Sequence, residues 1–352
     1  MYFFAGSYTE TNSPAAVPKG LGIVSCSFDP ENGSIRIIDS QFQRNPAYPI
    51  VSANGMFLYV AEEIFKSENP QLVSYRIHEN GNLIMLNAVP LPGDYACHLA
   101  IASQTILVAN YGSGDILVYA LEEDGSIGPM MQRIKHTGSG VNKERQEAPH
   151  PHMIYPIDDH TVYCVDLGID MAKAYRFVSS EKRWEPATEP DIKIKPGAGA
   201  RHMDMDLKKE WLVLIGELSG EVFLYRKTET GFQCVDTAST GKGEMTAAAI
   251  RVHADGRFIY CSERTTNCIY TFTVSPNKLQ PIGAFSSGGK TPRDIAIDPT
   301  GKWLLSANQD ENMIAVFSID QLTGELRFAS ECFVPTPSCI CWQTQKTPAI
   351  NN

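Results

Sequence analysis

"VSCSFDPENGSIRI", residues 24–37, sets one alternating apolar run on each side of Asn32-Gly33. Alternation with period two, rich in Val, Ile and Phe, is strand chemistry. Asn-Gly supplies the positive φ angles that a tight hairpin needs. The pattern recurs as "LVSYRIHENGNLIM" (72–85), "ILVYALEEDGSIGP" (116–129), "AKAYRFVSSEKRWE" (172–185), "VFLYRKTETGFQCV" (222–235), "IYTFTVSPNKLQPI" (269–282) and "IAVFSIDQLTGELRF" (314–328). The turn residues are Gly33, Gly81, Gly125, Lys182, Gly231, Lys278 and Gly324, spaced by 48, 44, 57, 49, 47 and 46 residues.

Between these hairpins lie two further repeated elements. One is an apolar strand running into a polar end, as in "GMFLYVAEE" (55–63), "QTILVANYGSG" (104–114) and "EWLVLIGELSG" (210–220), with "MYFFAGSYTE" (1–10) as its first copy. The other precedes it, as in "YACHLAIA" (95–102), "PHPHMIYP" (149–156) and "ARHMDMDL" (200–207), with "TPSCICWQ" (336–343) as its last copy. Each repeat therefore holds about four strands, which predicts an all-β, seven-bladed β-propeller of four-stranded antiparallel blades. The first repeat lacks its leading strand, and the last strand of the chain can supply it. The ring is expected to close by pairing 338–342 with 2–6, which removes an open sheet edge. Residues 1–352 then read as a single propeller domain. The longest gap holds a polar insertion, "KHTGSGVNKERQEAPHP" (135–151), expected as a loop over one face.

The composition narrows the function. A net charge of −10 argues against nucleic-acid and anionic-membrane partners. No apolar run approaches the roughly 18 residues of a membrane span. The first residues show neither a basic region nor a long apolar region of a signal peptide. The nine cysteines lack CxxC spacing, which suits free thiols in a reducing compartment, so a cytoplasmic protein is expected. A propeller closes on itself, so a monomer is expected, with a dimer as the alternative.

In an antiparallel meander, the start of the innermost strand and the end of the second lie on the same face. Their polar residues should converge on one central funnel. The inner-strand starts offer Tyr48, His98, His150, His152, Arg201, His202, Arg251 and Arg293. The second-strand ends offer Tyr8, Glu62, Asn110, Tyr111, Asp166, Asp170, Glu217, Glu263, Arg264 and Asn308. Arginine and histidine gathered on one rim of an acidic protein suit a small anionic ligand, since Arg forks onto carboxylate or phosphate. The competing structural reading is that rim charges satisfy one another across blades, and Glu62 and Asp166 fit it best. His78, His160 and His253 fall in turns and are expected to be solvated.

The strings "GSYTE" (6–10), "ANYGSGDILVY" (109–119), "PHPHMIY" (149–155), "VDLGID" (165–170), "ARHMDMD" (200–206), "SER" (262–264) and "TPRDIAIDPTGKWLLSANQDENMIAVF" (291–317) carry a resemblance. Along essentially its whole length the chain resembles the seven-bladed propeller lactonase family. That family includes propeller-type 6-phosphogluconolactonases and 3-carboxy-cis,cis-muconate lactonizing enzymes. The resemblance implies hydrolysis of a small anionic sugar lactone, first of all 6-phosphogluconolactone to 6-phosphogluconate, and with it a place in pentose phosphate metabolism. A carboxymuconate cyclase-type enzyme and a non-catalytic binding scaffold are the alternatives.

Carried over by motif, the implied catalytic set is His152, Arg201, Glu217 and Arg264. His150 rivals His152, and Arg293 rivals Arg264. Ala200 stands where the family more often has Pro. His98, His150, His202, Arg293, Asn110 and Tyr111 complete the expected substrate-binding set. Glu217 or His152 would act as base, and the arginines would hold the anion and the developing oxyanion.

No cofactor or metal is expected, because there is no HExxH and no Cys/His ligand spacing. Some propeller lactonases bind Ca²⁺ or Zn²⁺ through Glu, Asn and Asp; Glu62, Asn110 and Glu217 could imitate that set, but neighbouring cations oppose it. "GAFSSGGKT" (283–291) misses the P-loop pattern at Ala284, and there is no GxSxG for a serine hydrolase.

Overall fold

The computed structural model describes residues 1–241 and 243–343. Alternating apolar strands separated by hairpin turns can bury both faces only between neighbouring sheets, and the chain does this in a ring. The described residues form seven antiparallel sheets. Six follow the chain in order, inner strand first. The third blade, for example, runs Ala96–Ala102, Thr105–Asn110, Asp115–Leu121 and Ile127–Lys135.

The first blade takes its inner strand, Pro337–Trp342, from the other end of the chain and pairs it with Tyr2–Ser7. The register sets Phe3 opposite Trp342, Phe4 opposite Cys341 and Ala5 opposite Ile340. This is the closure expected from the sequence.

The alternation along each strand is split between two neighbours. Phe3 and Ala5 pack with Leu305, Ala307 and Val316 of the seventh blade. Phe4 packs the other way, with Leu58, Val60 and Tyr75 of the second. Among the described residues the main core is thus seven wedges, one between each pair of adjacent blades. The hairpin turns join this packing. Gly125 has φ +88, and a Cβ there would run into the Phe57 ring of the preceding blade.

Three local details differ from the simple repeat. The second blade's inner strand is only Ile50–Val51, because Pro46 and Pro49 remove backbone donors from its approach. The fourth blade's outer strand is split in two: Arg183–Pro186 and Ile192–Lys193 both pair with Met171–Val178. Of the two turns that lack glycine, Lys182 adopts φ +50, whereas Ser275 pairs directly with Lys278 across Pro276 and Asn277.

Phe3 is fully buried at the closure, with its ring 5.2 Å from that of Trp342. Phe3→Ala should therefore cost about 3–5 kcal/mol in urea unfolding. A loss below about 1 kcal/mol would show that packing at the closure contributes little to the ring.

Candidate active site

Two repeated backbone features decide which side chains enter the funnel. The first lies at the start of the inner strands. The pairing register slips between Ala96 and His98, Pro151 and Met153, Ala200 and His202, and Pro292 and Asp294. Each slip is a bulge that leaves one residue unpaired and re-aims its side chain. The skipped residues are Cys97, His152, Arg201 and Arg293.

The second feature lies just past the second strands. Tyr8, Glu63, Tyr111, Leu167, Glu217, Arg264 and Gln309 each donate a backbone N–H to the carbonyl of Thr336, Asn45, Tyr95, His150, Gly199, Thr246 and Thr291, respectively; each acceptor is the residue immediately before an inner strand or, for Asn45, before the Pro46–Glu62 bridge. Five of those acceptor residues, Asn45, Tyr95, Gly199, Thr291 and Thr336, hold left-handed φ angles. This bond accompanies side chains that enter the cavity wall at Glu63, Tyr111, Glu217 and Arg264 and the void beneath it at Tyr8.

The result is a cavity of about 280 Å³. Its walls include Glu63, Tyr111, Glu217 and Arg264, with Cys97, His152 and Arg293 from the bulges and Arg145 from the insertion. Ser13, Pro14 and Tyr95 complete the lining. A smaller void of about 10 Å³ continues inward past Tyr8, Tyr48, Arg201 and His202.

Glu217 is the electrostatic centre. Its Oε1 accepts from Arg145 Nη2 at 2.7 Å, and its Oε2 accepts from Arg201 Nε at 2.9 Å. Arg264 Nη2 lies 3.2 Å from the same Oε2. Burial alone would raise this carboxyl, but Arg264, Arg201 and Arg145 outweigh it and hold it well below the usual carboxylate range. Burial and the neighbouring Arg264 pull the Arg201 guanidinium down to about 10, still charged at neutral pH.

Across the cavity, Glu63 accepts a 2.5 Å hydrogen bond from the Tyr8 hydroxyl and lies 3.7 Å from Arg293. Arg293 also stands 5.3 Å above the Tyr8 ring. Burial raises the Glu63 carboxyl, partly offset by Arg293 and Tyr8. The two carboxylates of one cavity are thus driven in opposite directions. Burial, reinforced by Arg201, keeps His152 well below the ordinary imidazole value, so it is neutral at pH 7. Its Nδ1 is buried without a hydrogen-bond partner among the described residues.

Of the sequence-derived set, His152, Glu217, Arg264, Arg293 and Tyr111 line the cavity. Arg201 does not; its Nη1 donates to Ala248 O at 2.6 Å, and it backs Glu217 from the deeper void. His98 and His202 are one register step past the bulge and lie in the layer beneath, their rings 5.9 Å apart. There His98 packs 4.0 Å from Tyr48, and burial together with Arg251 pulls it down to about 3. Tyr48 and the Arg251–Asp294 pair (2.7 Å) belong to this layer.

His150 stands beside the cavity. Its ring stacks on Tyr111, and its Nδ1 lies 2.8 Å from Tyr111 O. Asn110 is a correction: it is fully buried and donates to Asp115 Oδ1 at 2.9 Å, tying off the turn into the next strand. It lies one residue too early in its strand to face the funnel.

Glu62, Asp166, Glu263 and Asn308 hold the equivalent early position and are likewise spent on local bonds. Glu62 accepts from Gln71 N, Asp166 and Glu263 from the backbone of His150 and Thr246, and Asn308 donates to Ser287 O. Asp170 accepts from Gly197 N and Gly199 N. Glu62, Asn110 and Glu217 are each occupied by different partners and do not converge on one point. His78 and His160 are exposed as expected. His253 is not: it is buried, with Nε2 2.8 Å from Gly301 O.

Sequence reasoning missed Glu63, Tyr95, Cys97 and Arg145. For Glu63 a signal existed, because it occupies the repeat position of Tyr111, Glu217 and Arg264. Cys97 likewise stands where His152, Arg201 and Arg293 stand.

Residues 2–342 match the family described as lactonase, 7-bladed beta-propeller. The chain belongs to that family. A 6-phosphogluconolactonase of Bacillus subtilis is 31% identical over 351 residues, spanning 96% of this chain and 97% of the relative. A 6-phosphogluconolactonase of Formosa agariphila is 28% identical, spanning 92% of this chain and 94% of the relative.

Among solved structures, the periplasmic gluconolactonase PpgL of Pseudomonas aeruginosa superposes with a TM-score of 0.87 at 25% identity, over 96% of this chain and 98% of that one. A Bacteroides fragilis protein described as a candidate 6-phosphogluconolactonase gives 0.89 at 28% identity, over 96% of each chain. In this propeller lactonase the funnel therefore carries one buried carboxylate clamped by three arginines, and a neutral histidine beside it.

Because the folded state lowers the Glu217 pKa, the stabilisation this group provides is full above its unfolded value near 4.3 and is lost as pH falls below it. Unfolding free energy of the wild type should therefore drop steeply on acidification, and Glu217→Gln should show a shallower drop. The opposite contribution of Glu63 is present in both proteins and cancels. At pH 7 the variant should lose about 3–5 kcal/mol, since it leaves buried guanidiniums uncompensated. Parallel pH curves for the two proteins would contradict the clamp.

Proposed function

We propose that the protein is a lactone-hydrolysing carboxylic ester hydrolase whose substrate is a small anionic sugar lactone, first of all 6-phosphogluconolactone. One observation carries the choice of an anionic substrate. Arg145, Arg201, Arg264 and Arg293 gather at the cavity and the void beneath it against Glu63 and Glu217, while Asp294 of the void is already paired with Arg251. A net positive pocket in a protein of charge −10 is built to receive negative charge.

In the proposed mechanism, neutral His152 takes a proton from a water that attacks the lactone carbonyl. Arg264 and Arg293 stabilise the oxyanion of the tetrahedral intermediate. The ring C–O bond then breaks, and the imidazolium returns its proton to the departing ring oxygen. The product is the open hydroxy acid. Glu217 is a poor base, because three guanidiniums hold its proton affinity down; its role is to fix those arginines. Arg201, behind it, positions Glu217 and does not touch the substrate.

The reading extends to one propeller domain acting as a monomer in the cytoplasm, without nucleic-acid or membrane partners. The nine cysteines are all free, which favours a reducing compartment, and among the described residues no helix is long and apolar enough to cross a membrane. The Pseudomonas aeruginosa neighbour is described as periplasmic, so the fold is not confined to the cytoplasm.

The test is hydrolysis of freshly generated 6-phosphoglucono-δ-lactone, read by coupling to 6-phosphogluconate dehydrogenase, with and without EDTA. Wild type should exceed the spontaneous rate with EDTA present, and His152→Ala should lose about 10²-fold or more in kcat. Because His152 titrates well below 6.5, kcat/KM should hold between pH 8 and pH 6. A decline centred near 6.5 would remove His152 from the role of base, and loss of activity in EDTA would overturn a metal-free mechanism.

A further inference from the structure

We propose that Arg145, carried by the insertion between the third and fourth blades, makes this site prefer a phosphorylated over an unphosphorylated sugar lactone. The inference rests on the lactonase reading and adds the residue that selects the substrate class.

Arg145 is the cavity cation that the blade repeat does not supply. Its backbone is nonetheless firmly placed. Asn142 Oδ1 accepts from the N–H groups of Glu144 and Arg145 at 3.1 and 3.2 Å. Next to it, Gln146 is fully buried and sends Nε2 to Leu167 O at 2.9 Å, while its backbone N–H reaches Asn142 O and its carbonyl accepts from Gly140 N. The insertion is a compact knot tied to the fourth blade. It delivers one long side chain to the funnel.

That side chain differs from the other arginines. It is 40% exposed, against 2% for Arg201, and so stands at the mouth. Only its Nη2 is engaged, with Glu217 at 2.7 Å and the Tyr111 hydroxyl at 3.3 Å. Its Nε and Nη1 have no partner among the described residues. If Arg145 turns toward a bound anion, Glu217 still keeps Arg201 and Arg264. Arg201 has no such freedom, since its Nε and Nη1 are both held in the wall. Arg145 is therefore the guanidinium that can be given to a ligand at little cost to the clamp.

Lactone opening needs cations only at the carbonyl. A phosphomonoester adds up to two negative charges at the far end of the sugar, and a forked guanidinium suits them. The planar donors of Arg145 at the entrance meet that need.

The experiment measures kcat and KM of wild type, Arg145→Gln and Arg145→Lys on 6-phosphoglucono-δ-lactone and on glucono-δ-lactone. Calorimetric binding of 6-phosphogluconate and of gluconate runs in parallel, and thermal melting confirms that each variant is folded. Arg145→Gln should raise KM for the phosphorylated lactone roughly 10- to 100-fold, as expected for a hydrogen-bonded charge contact. The loss in kcat/KM should be at least about tenfold greater for the phosphorylated than for the unphosphorylated lactone, and Arg145→Lys should recover part of that difference.

Equal losses on both lactones would reduce Arg145 to a support for Glu217 and overturn the proposal, as would an unchanged phosphorylated reaction. A wild type inactive on both lactones would sink the lactonase reading instead. The binding arm then decides Arg145: tighter binding of 6-phosphogluconate than gluconate, lost in Arg145→Gln, supports it, and no difference overturns it.

Discussion

The molecule depends on the antiparallel pairing of Pro337–Trp342 with Tyr2–Ser7. Every blade is too thin to bury its own faces, so each relies on two neighbours for a complete wedge of core. An unclosed array would leave the first and last blades each with a bare apolar face and an unpaired edge. Closure removes both defects with one strand pair. It also fixes the axis, and so brings together side chains that lie as far apart in sequence as Tyr8, Glu217 and Arg293.

On that axis the protein accepts an electrostatic cost. Taking several guanidiniums out of water is unfavourable unless a carboxylate and hydrogen bonds compensate them. Glu217 provides the compensation for three arginines at once, and Glu63 with Tyr8 does so for Arg293. The balance is deliberately incomplete: positive charge is left over, and an anionic ligand would complete it. A site that is most comfortable when occupied is expected to gain stability from its ligand by mass action.

The same incompleteness divides labour among ionisable groups. The strongest acid, Glu217, is held as an anion and serves as scaffold. His152 is kept neutral by burial and by nearby Arg201, as the proton transfer proposed for it requires. Beneath them, His98, His202 and Tyr48 form a ring-packed floor. They share the residue types of a catalytic site but lie one backbone step too deep to reach the cavity.

The sequence by itself determined the ring. Period-two alternation, hairpin glycines at regular spacing and an orphaned first strand leave few other ways to bury the chain, and they name the rim on which the cations gather. It also placed His152, Arg201, Glu217, Arg264 and Arg293 among the rim candidates, because residues at strand mouths recur in step with the repeat, and the family resemblance narrowed that longer set to His152, Arg201, Glu217 and Arg264, with Arg293 as a rival. What it did not resolve was which of two adjacent residues faces the cavity: it named His98 and not Cys97, Glu62 and not Glu63, and both members of Arg201–His202 and Asn110–Tyr111. Only the tertiary structure decided these. A β-bulge and a left-handed residue shift the side-chain direction by one position, and neither leaves a fixed mark in the side chains themselves. Arg145 was likewise beyond reach. Its place is set by Gln146 of the insertion binding Leu167 O of the fourth blade, a contact that exists only once the chain has folded.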